Sequence, residues 1–326
     1  MAMGTLPLVR RGIPASRLAL GCMGLGGGWN DAAIDDANVR EAEAAIETAL
    51  EAGINVFDHA DIYTRGKAET VFGRVLRARP GLRERMLIQT KCGIRFFESE
   101  RAPGRYDFSR RHILASVDAS LSRLGVDYLD VLLLHRPDPL MDGAEVAEAF
   151  SRLNAQGKVR HVGVSNMSAG QIRYLQSWLD VPIVANQLEM SLMRVGFLET
   201  GVHVNQEAAR DNVFPDGTLE FCRLENIQIQ AWGPMAKGYL SGRPLDDAPE
   251  ALRRTARLVA EMAAERSVSR EAVVIAWLLA HPAAIQPVIG TKSPARIRAC
   301  AEAERVELGR EDWYALYVAA RGRPLP

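Results

Sequence analysis

A chain of 326 residues with 48% hydrophobic composition has ample material for a large core, which excludes intrinsic disorder. Lys plus Arg and Asp plus Glu both number 40, so no net basic field points to nucleic acid or to an anionic membrane surface. The opening "MAMGTLPLVRRGIP" has no apolar h-region, and no uncharged stretch approaches a bilayer span, so a cytoplasmic protein acting on a small molecule is expected.

In chain order, short β-branched or Leu-rich runs alternate with segments of helical period. The predicted strands are "RLALG" from Arg17, "INVFD" from Ile54, "MLIQTK" from Met86, "YLDVLLLH" from Tyr128, "RHVGVSN" from Arg160, "PIVANQ" from Pro182, "IQIQAW" from Ile227 and "AIQPVIG" from Ala284. Between them, Ser109 opens a helix carrying Ile113, Val117, Leu121 and Leu124 before Gly125, and Ser168 with Gln171 reads as a capping box. Ser269 starts a helix through Val273, Val274, Trp277 and Leu278, and Ser293 precedes a proline at the first helical position. Eight βα units without a linker predict one (β/α)₈ TIM barrel domain over 1–326, of α/β class, rather than a doubly wound sheet. The four cysteines lack C-x-x-C spacing and read as free thiols.

In such a barrel the chemistry gathers at the C-terminal strand ends. Asp58 closes the second strand, Lys91 the third and His135 the fourth, each after an apolar run, and Tyr63 lies just beyond Asp58. A unit charge about 4 Å from a phenol, at an effective dielectric near 20, favours the phenolate by roughly 4 kcal/mol, or about three pKa units. Lys91 is therefore expected to draw Tyr63 from about 10 toward about 7, with Asp58 keeping the ammonium charged against burial. His135 has a ring nitrogen with which to orient a substrate oxygen. No paired ligand spacing such as H-E-x-x-H occurs, so no metal is expected.

The stretches "FDHADIY", "QTKCG", "LLLHRPDP", "GVSN", "NQLE", "QAWGPMAKGYLSG" and "IGTKSPARI", in this order over nearly the whole chain, resemble the aldo-keto reductases, with "GCMGLGGG" closest to a bacterial branch. The resemblance implies a barrel with an N-terminal β-hairpin and extended βα loops. It also implies a catalytic tetrad of Asp58, Tyr63, Lys91 and His135, with Tyr63 as proton donor. By the same resemblance Ser165, Asn166 and Gln187 hold a nicotinamide carboxamide and Trp232 stacks on its ring. Gly233, Pro234, Met235, Lys237 and Gly238 wrap the pyrophosphate, and Gly290, Thr291, Lys292 and Arg296 meet the adenosine 2′-phosphate. NADP(H) is accordingly expected over NAD(H). Ala299 and Cys300 stand where relatives often carry an acid and an amide for adenine.

"GCMGLGGGWN" fails the dinucleotide fingerprint, because Trp29 replaces the last glycine; it reads as a loop in which Met23 and Gly24 approach the cofactor. Trp29, Phe96 and Phe97, with Tyr106 and Phe108, are expected to wall a bulky substrate site, whereas His59 reads as structural. Residues 190–217 form an unusually long loop, read as a lid, an oligomer contact or a crossing over the cofactor. The activity expected is NADPH-dependent reduction of an aldehyde or ketone. Three alternatives remain: the alcohol or sugar dehydrogenase direction, a nucleotide-sensing subunit, and a Schiff-base aldolase using Lys91.

Overall fold

The computed structural model describes residues 4–326. All eight expected strands form, as Ala19–Gly21, Val56–Asp58, Leu87–Cys92, Leu129–Leu134, Val159–Ser165, Ile183–Glu189, Gln228–Trp232 and Gln286–Ile289, here called the first to the eighth. They pair in parallel in chain order, and the first closes the ring against both the second and the eighth. The fold is the expected α/β barrel.

Local chemistry accounts for the surrounding helices. Ser109 Oγ accepts from the His112 amide and Gly125 ends that helix at φ 66°, a left-handed position suited to glycine. Ser168 and Gln171 make the reciprocal capping box, and Ser269 caps through the Ala272 amide. Ser293 occupies the N-cap position before Pro294, but its side chain makes no capping bond. The apolar faces then bury against the strands, with Ile113, Val117, Leu121 and Leu124 all in the core.

The N-terminal hairpin is replaced by a helical turn, Pro7–Arg10, and no strand precedes Ala19 among the described residues. Proline at the first helical position starts the turn with its φ already set. Leu6, Leu8, Ile13 and Ala15 then plug the barrel beneath Val56, Val131, Leu133, Val184 and Val288. Burying those leucines is worth about 2 kcal/mol each, which a two-stranded ribbon over water would forgo.

The extended loops are present. After the third strand, Ile94–Arg95 and Arg105–Tyr106 pair as an antiparallel ribbon. Arg95 braces it by ion pairs to Glu98 at 2.8 Å and Asp107 at 3.1 Å. Residues 190–217 lie in the helical layer rather than free: Phe197 meets the rings of Trp277 and His281. Glu199 takes Arg321 Nε at 2.9 Å and Nη2 at 3.0 Å and accepts from Tyr317 Oη, and its Oε2 lies 3.0 Å from His203 Nε2. This ties the long loop to the C-terminal helix Arg310–Arg321.

The Arg321 side chain is only 2% exposed, so Glu199→Ala strands a buried cation. The variant is expected to lose about 3–5 kcal/mol in urea unfolding.

Candidate active site

Closure and register bring the strand ends together. Gly21 lies level with Asp58, Asp58 with Gln89, and Lys91 with Leu133 on the neighbouring strand. Inward-facing positions alternate, so Val56 faces the plug while Asp58, one period higher, opens the polar layer.

Lys91 is the hub. Its Nζ, buried with only 1% side-chain exposure, donates to Asp58 Oδ2 at 2.7 Å, to the His59 carbonyl at 2.8 Å and to Tyr63 Oη at 2.9 Å. All three ammonium protons are engaged. Burial alone would depress Lys91, but Asp58 and Tyr63 outweigh it and hold its pKa above the ordinary value. A saturated ammonium has no lone pair to attack a carbonyl, which removes the basis of the Schiff-base reading.

The expected drop in the Tyr63 pKa does not occur. Burial raises it, and Lys91 pulls it down only in part because Asp58 acts in the opposite sense; the net shift is upward. The cation alone would lower it, but desolvation of the phenol and the counter-ion Asp58 together reverse the sign. Tyr63 is therefore an undissociated phenol at neutral pH, with a cation already placed to receive the charge its proton would leave.

The ring is aimed by strained backbone. Thr64, Arg65 and Gly66 follow Tyr63 at φ 47°, 59° and 83°. Two non-glycine left-handed residues cost about 1–2 kcal/mol each, and Thr64 Oγ1 helps to hold them by donating to the Leu25 carbonyl at 3.0 Å.

Beneath Asp58 runs an amide ladder invisible in the sequence as a motif. Gln89 Nε2 and Gln187 Nε2 donate to Asp58 Oδ1 at 2.5 and 3.1 Å, and both donate to Gln230 Oε1. Gln230 Nε2 reaches Gln286 Oε1 at 2.8 Å, and Gln286 ends the chain on the Ser16 carbonyl. The register alone places these side chains side by side, Gln187 level with Gln230 and Gln230 with Gln286.

His135 faces the Tyr63 ring edge-on at 6.0 Å. Its Nδ1 is buried without a partner, and its Nε2 makes no bond within the described chain. Burial, then Lys91 and Arg136, lower its pKa to about 2, so the ring is neutral. The His59 ring packs on Phe72 at 4.5 Å, and only its carbonyl bonds to Lys91.

Neutral buried histidines make stability pH-dependent. His59, His135 and His281 are lowered to about 3, 2 and 4, so the unfolded chain binds protons below about 6.5 that the folded chain refuses. Stability present above that pH is lost as pH falls, by about 2 kcal/mol per histidine at pH 5. Asp61, raised to about 7 by burial and Glu69, works the other way and returns part of this, since its folded form takes a proton first. Urea midpoints are expected to be lower at pH 5 than at pH 7.5, and the drop to shrink in His281→Leu.

The carboxamide candidates form one wall. Asn166, at φ 58°, donates to Ser165 Oγ at 2.8 Å and to the His135 carbonyl at 3.3 Å, and accepts from Trp232 Nε1 at 3.1 Å. Gln187 commits its Nε2 to the ladder and leaves Oε1 without a bond among the described residues. Trp232 is thus held by its indole nitrogen with its ring half-exposed. Ser165 Oγ donates to the Gln187 carbonyl at 2.9 Å, so the open acceptor of this wall is Gln187 Oε1, which suits a primary amide next to a flat ring.

The two loops expected to meet phosphates flank it. After the seventh strand, Gly233, Ala236, Lys237 and Gly238 all have positive φ, with Pro234 and Met235 between them, and space for a Cβ is open at Gly233 and Gly290. Thr291, Lys292 and Arg296 surround the start of helix Pro294–Ala301. Arg296 is exposed and makes no ion pair among the described residues, whereas Lys292 is paired with Glu41 at 2.8 Å. A Cβ on Gly24 would lie 3.8 Å from Lys292 Cδ, which brings the first loop, with exposed Met23, against this site. Cys300 is buried in the core and offers nothing to an adenine.

The aromatic wall is smaller than expected. Trp29 meets Phe96 edge-on at 6.4 Å across two loops. Phe97 is exposed and makes no ring contact among the described residues. Phe108 is buried under Gly93, whose Cβ would collide with its ring, so it supports the loop from below. No cluster of metal-binding side chains occurs among the described residues, and no helix is long and apolar enough to cross a membrane.

The Aldo/keto reductase family model matches residues 17–318. Among curated proteins, the chain is 39% identical over 294 residues to the 6-dehydroglucose reductase of Agrobacterium fabrum, covering 89% of this chain and 91% of that protein. It is 38% identical to the uncharacterized oxidoreductase YcsN of Bacillus subtilis, covering 90% and 93%, and 38% identical to oxidoreductase YdhF of Escherichia coli, covering 91% of each. The glycerol dehydrogenase AKR11B4 of Gluconobacter oxydans superposes with a TM-score of 0.77 at 25% identity, over 96% of this chain and 94% of that one. With a closed eight-stranded barrel and a matching family model over most of its length, the chain belongs to the aldo/keto reductase family and is an oxidoreductase.

Proposed function

We propose that the protein reduces an aldehyde or ketone to the alcohol, reversibly, at the expense of NADPH. The observation that carries this reading is the single ammonium of Lys91 bonded at once to Asp58, to Tyr63 and to the His59 carbonyl. When bound, the nicotinamide supplies the hydride to the carbonyl carbon. The chain supplies the rest. Tyr63 gives its phenolic proton to the developing alkoxide, and the charge left on its oxygen falls beside Lys91. His135, neutral and with Nε2 unengaged, donates to the same carbonyl oxygen and fixes its direction. Asp58, held by the ladder, keeps Lys91 charged. Tyr63 recovers its proton from water.

A carboxamide fits the wall of Ser165, Asn166 and Gln187, with Trp232 under the ring and the glycine-rich seventh loop around the phosphates. The preference for NADP(H) rests on Arg296, Lys292 and Thr291 at a helix N-terminus, where a 2′-phosphate would displace Glu41 from Lys292. The test is a panel of aldehydes, ketones, steroids and sugars assayed with NADPH and NADH by absorbance of the reduced nicotinamide. Turnover with NADPH at a kcat/KM about ten-fold or more above NADH is expected. A protein that oxidises NADPH with no carbonyl on the panel would refute the reading.

A further inference from the structure

We propose that Arg136 contacts the substrate and selects carbonyl compounds that carry oxygen acceptors, a carboxylate or neighbouring hydroxyls, on the carbon chain beside the reacting carbonyl. This rests on the carbonyl-reductase reading and refines its substrate class.

The placement of Arg136 is the first ground. It follows His135 directly, beyond the end of the fourth strand. Yet its guanidinium carbon lies 5.7 Å from the centre of the Trp232 ring, at the end of the seventh strand. The fifth and sixth strands stand between those two in the barrel order. The indole of Trp232 leans to the fifth strand, where its Nε1 donates to Asn166 Oδ1, and Asn166 in turn donates to the His135 carbonyl. Arg136 therefore packs on the Trp232 wall of the pocket, on the side where His135 follows the fourth strand.

Charge is the second ground. Half-buried Arg136 makes no ion pair or hydrogen bond among the described residues. The acids of the surrounding loops are already engaged. Asp58 is taken by Lys91, and Asp107 by Arg95 and the Ser109 hydroxyl. Asp138 accepts from the amides of Phe108 and Leu140, and Glu189 pairs with Arg194. With Lys91 balanced by Asp58 and His135 neutral, Arg136 is a cation without a counter-ion among the described residues whose charge acts on His135.

Chemistry is the third. A guanidinium has five donors in a planar fork and no acceptor. Held partly out of water against an indole, it recovers lost hydrogen bonds only from oxygens that enter with a ligand. An unadorned alkyl aldehyde leaves the fork unpaired. One bearing a carboxylate, or hydroxyls on adjacent carbons, satisfies it.

The experiment compares kcat/KM, with saturating NADPH, for two matched pairs: succinic semialdehyde against butanal, and glyceraldehyde against propanal. The wild-type protein and Arg136→Ala are both measured, with the NADPH dissociation constant of each as a check on the pocket. The wild type is expected to prefer the acceptor-bearing member of at least one pair by about ten-fold or more. R136A is expected to abolish that preference through KM, with NADPH affinity and the plain aldehyde changed less than about three-fold. A preference confined to the first pair identifies an anionic substrate, and one confined to the second identifies a hydroxylated one. Equal rates within both pairs for the wild type, or a preference that survives in R136A, overturns the role of Arg136 while leaving carbonyl reduction intact. Failure of the wild type to reduce any carbonyl overturns both.

Discussion

Tyr63→Phe is expected to lower kcat by roughly 10²- to 10⁴-fold while leaving NADPH affinity unchanged, the range over which a positioned general acid accelerates proton transfer. The phenyl ring keeps the edge contact with His135, and only the hydroxyl bonded to Lys91 at 2.9 Å is lost. Direct titration of NADPH by protein fluorescence separates the two effects. The pH profile gives a second check with a defined sign. Because burial holds the Tyr63 pKa above its ordinary value of about 10, the acid needed for reduction is present through neutral pH, and kcat/KM should fall only on the alkaline side. Alcohol oxidation needs the phenolate, so its rate should climb with pH over the same interval. A reduction rate already halved at pH 7 would contradict the protonated phenol.

Lys91→Met carries the second large effect. The substitution removes the cation that balances Asp58, whose side chain is 3% exposed, and breaking a buried pair from one side costs about 3–5 kcal/mol. It also leaves the charge developing on Tyr63 unsupported, so turnover should fall at least as far as in Tyr63→Phe. The double variant Asp58→Asn/Lys91→Met distinguishes the two roles. With neither charge present, and an amide facing Gln89 and Gln187, much of the lost stability should return in urea unfolding. Activity should not. Recovery of both together would mean that Lys91 serves only the fold.

Local patterns made much of the architecture legible. The runs "MLIQTK" and "YLDVLLLH" are buried on both faces, as parallel strands packed between helices and a barrel interior must be, and they end on Lys91 and His135 as those side chains reach the mouth. Caps at Ser109, Ser168 and Ser269 could be read because a cap is satisfied within a few residues of itself. Other features could not. The helical turn at Pro7 depends on the apolar floor that eight strands make together. The ladder from Asp58 to Gln286 joins single glutamines from four strands, each unremarkable alone.

From its own order of residues the chain determined eight βα units, the strand ends that carry Asp58, Lys91 and His135, and the glycine and serine punctuation between them, because these are set by periods of two and 3.6 residues and by neighbours close in sequence. Only the closed barrel decided that Tyr63 keeps its proton, that Glu41 holds Lys292 from 251 residues away, and that Arg136 packs on the ring of Trp232. Those outcomes depend on burial and on distances between groups far apart in the chain, and both come into being only when the ring of strands closes.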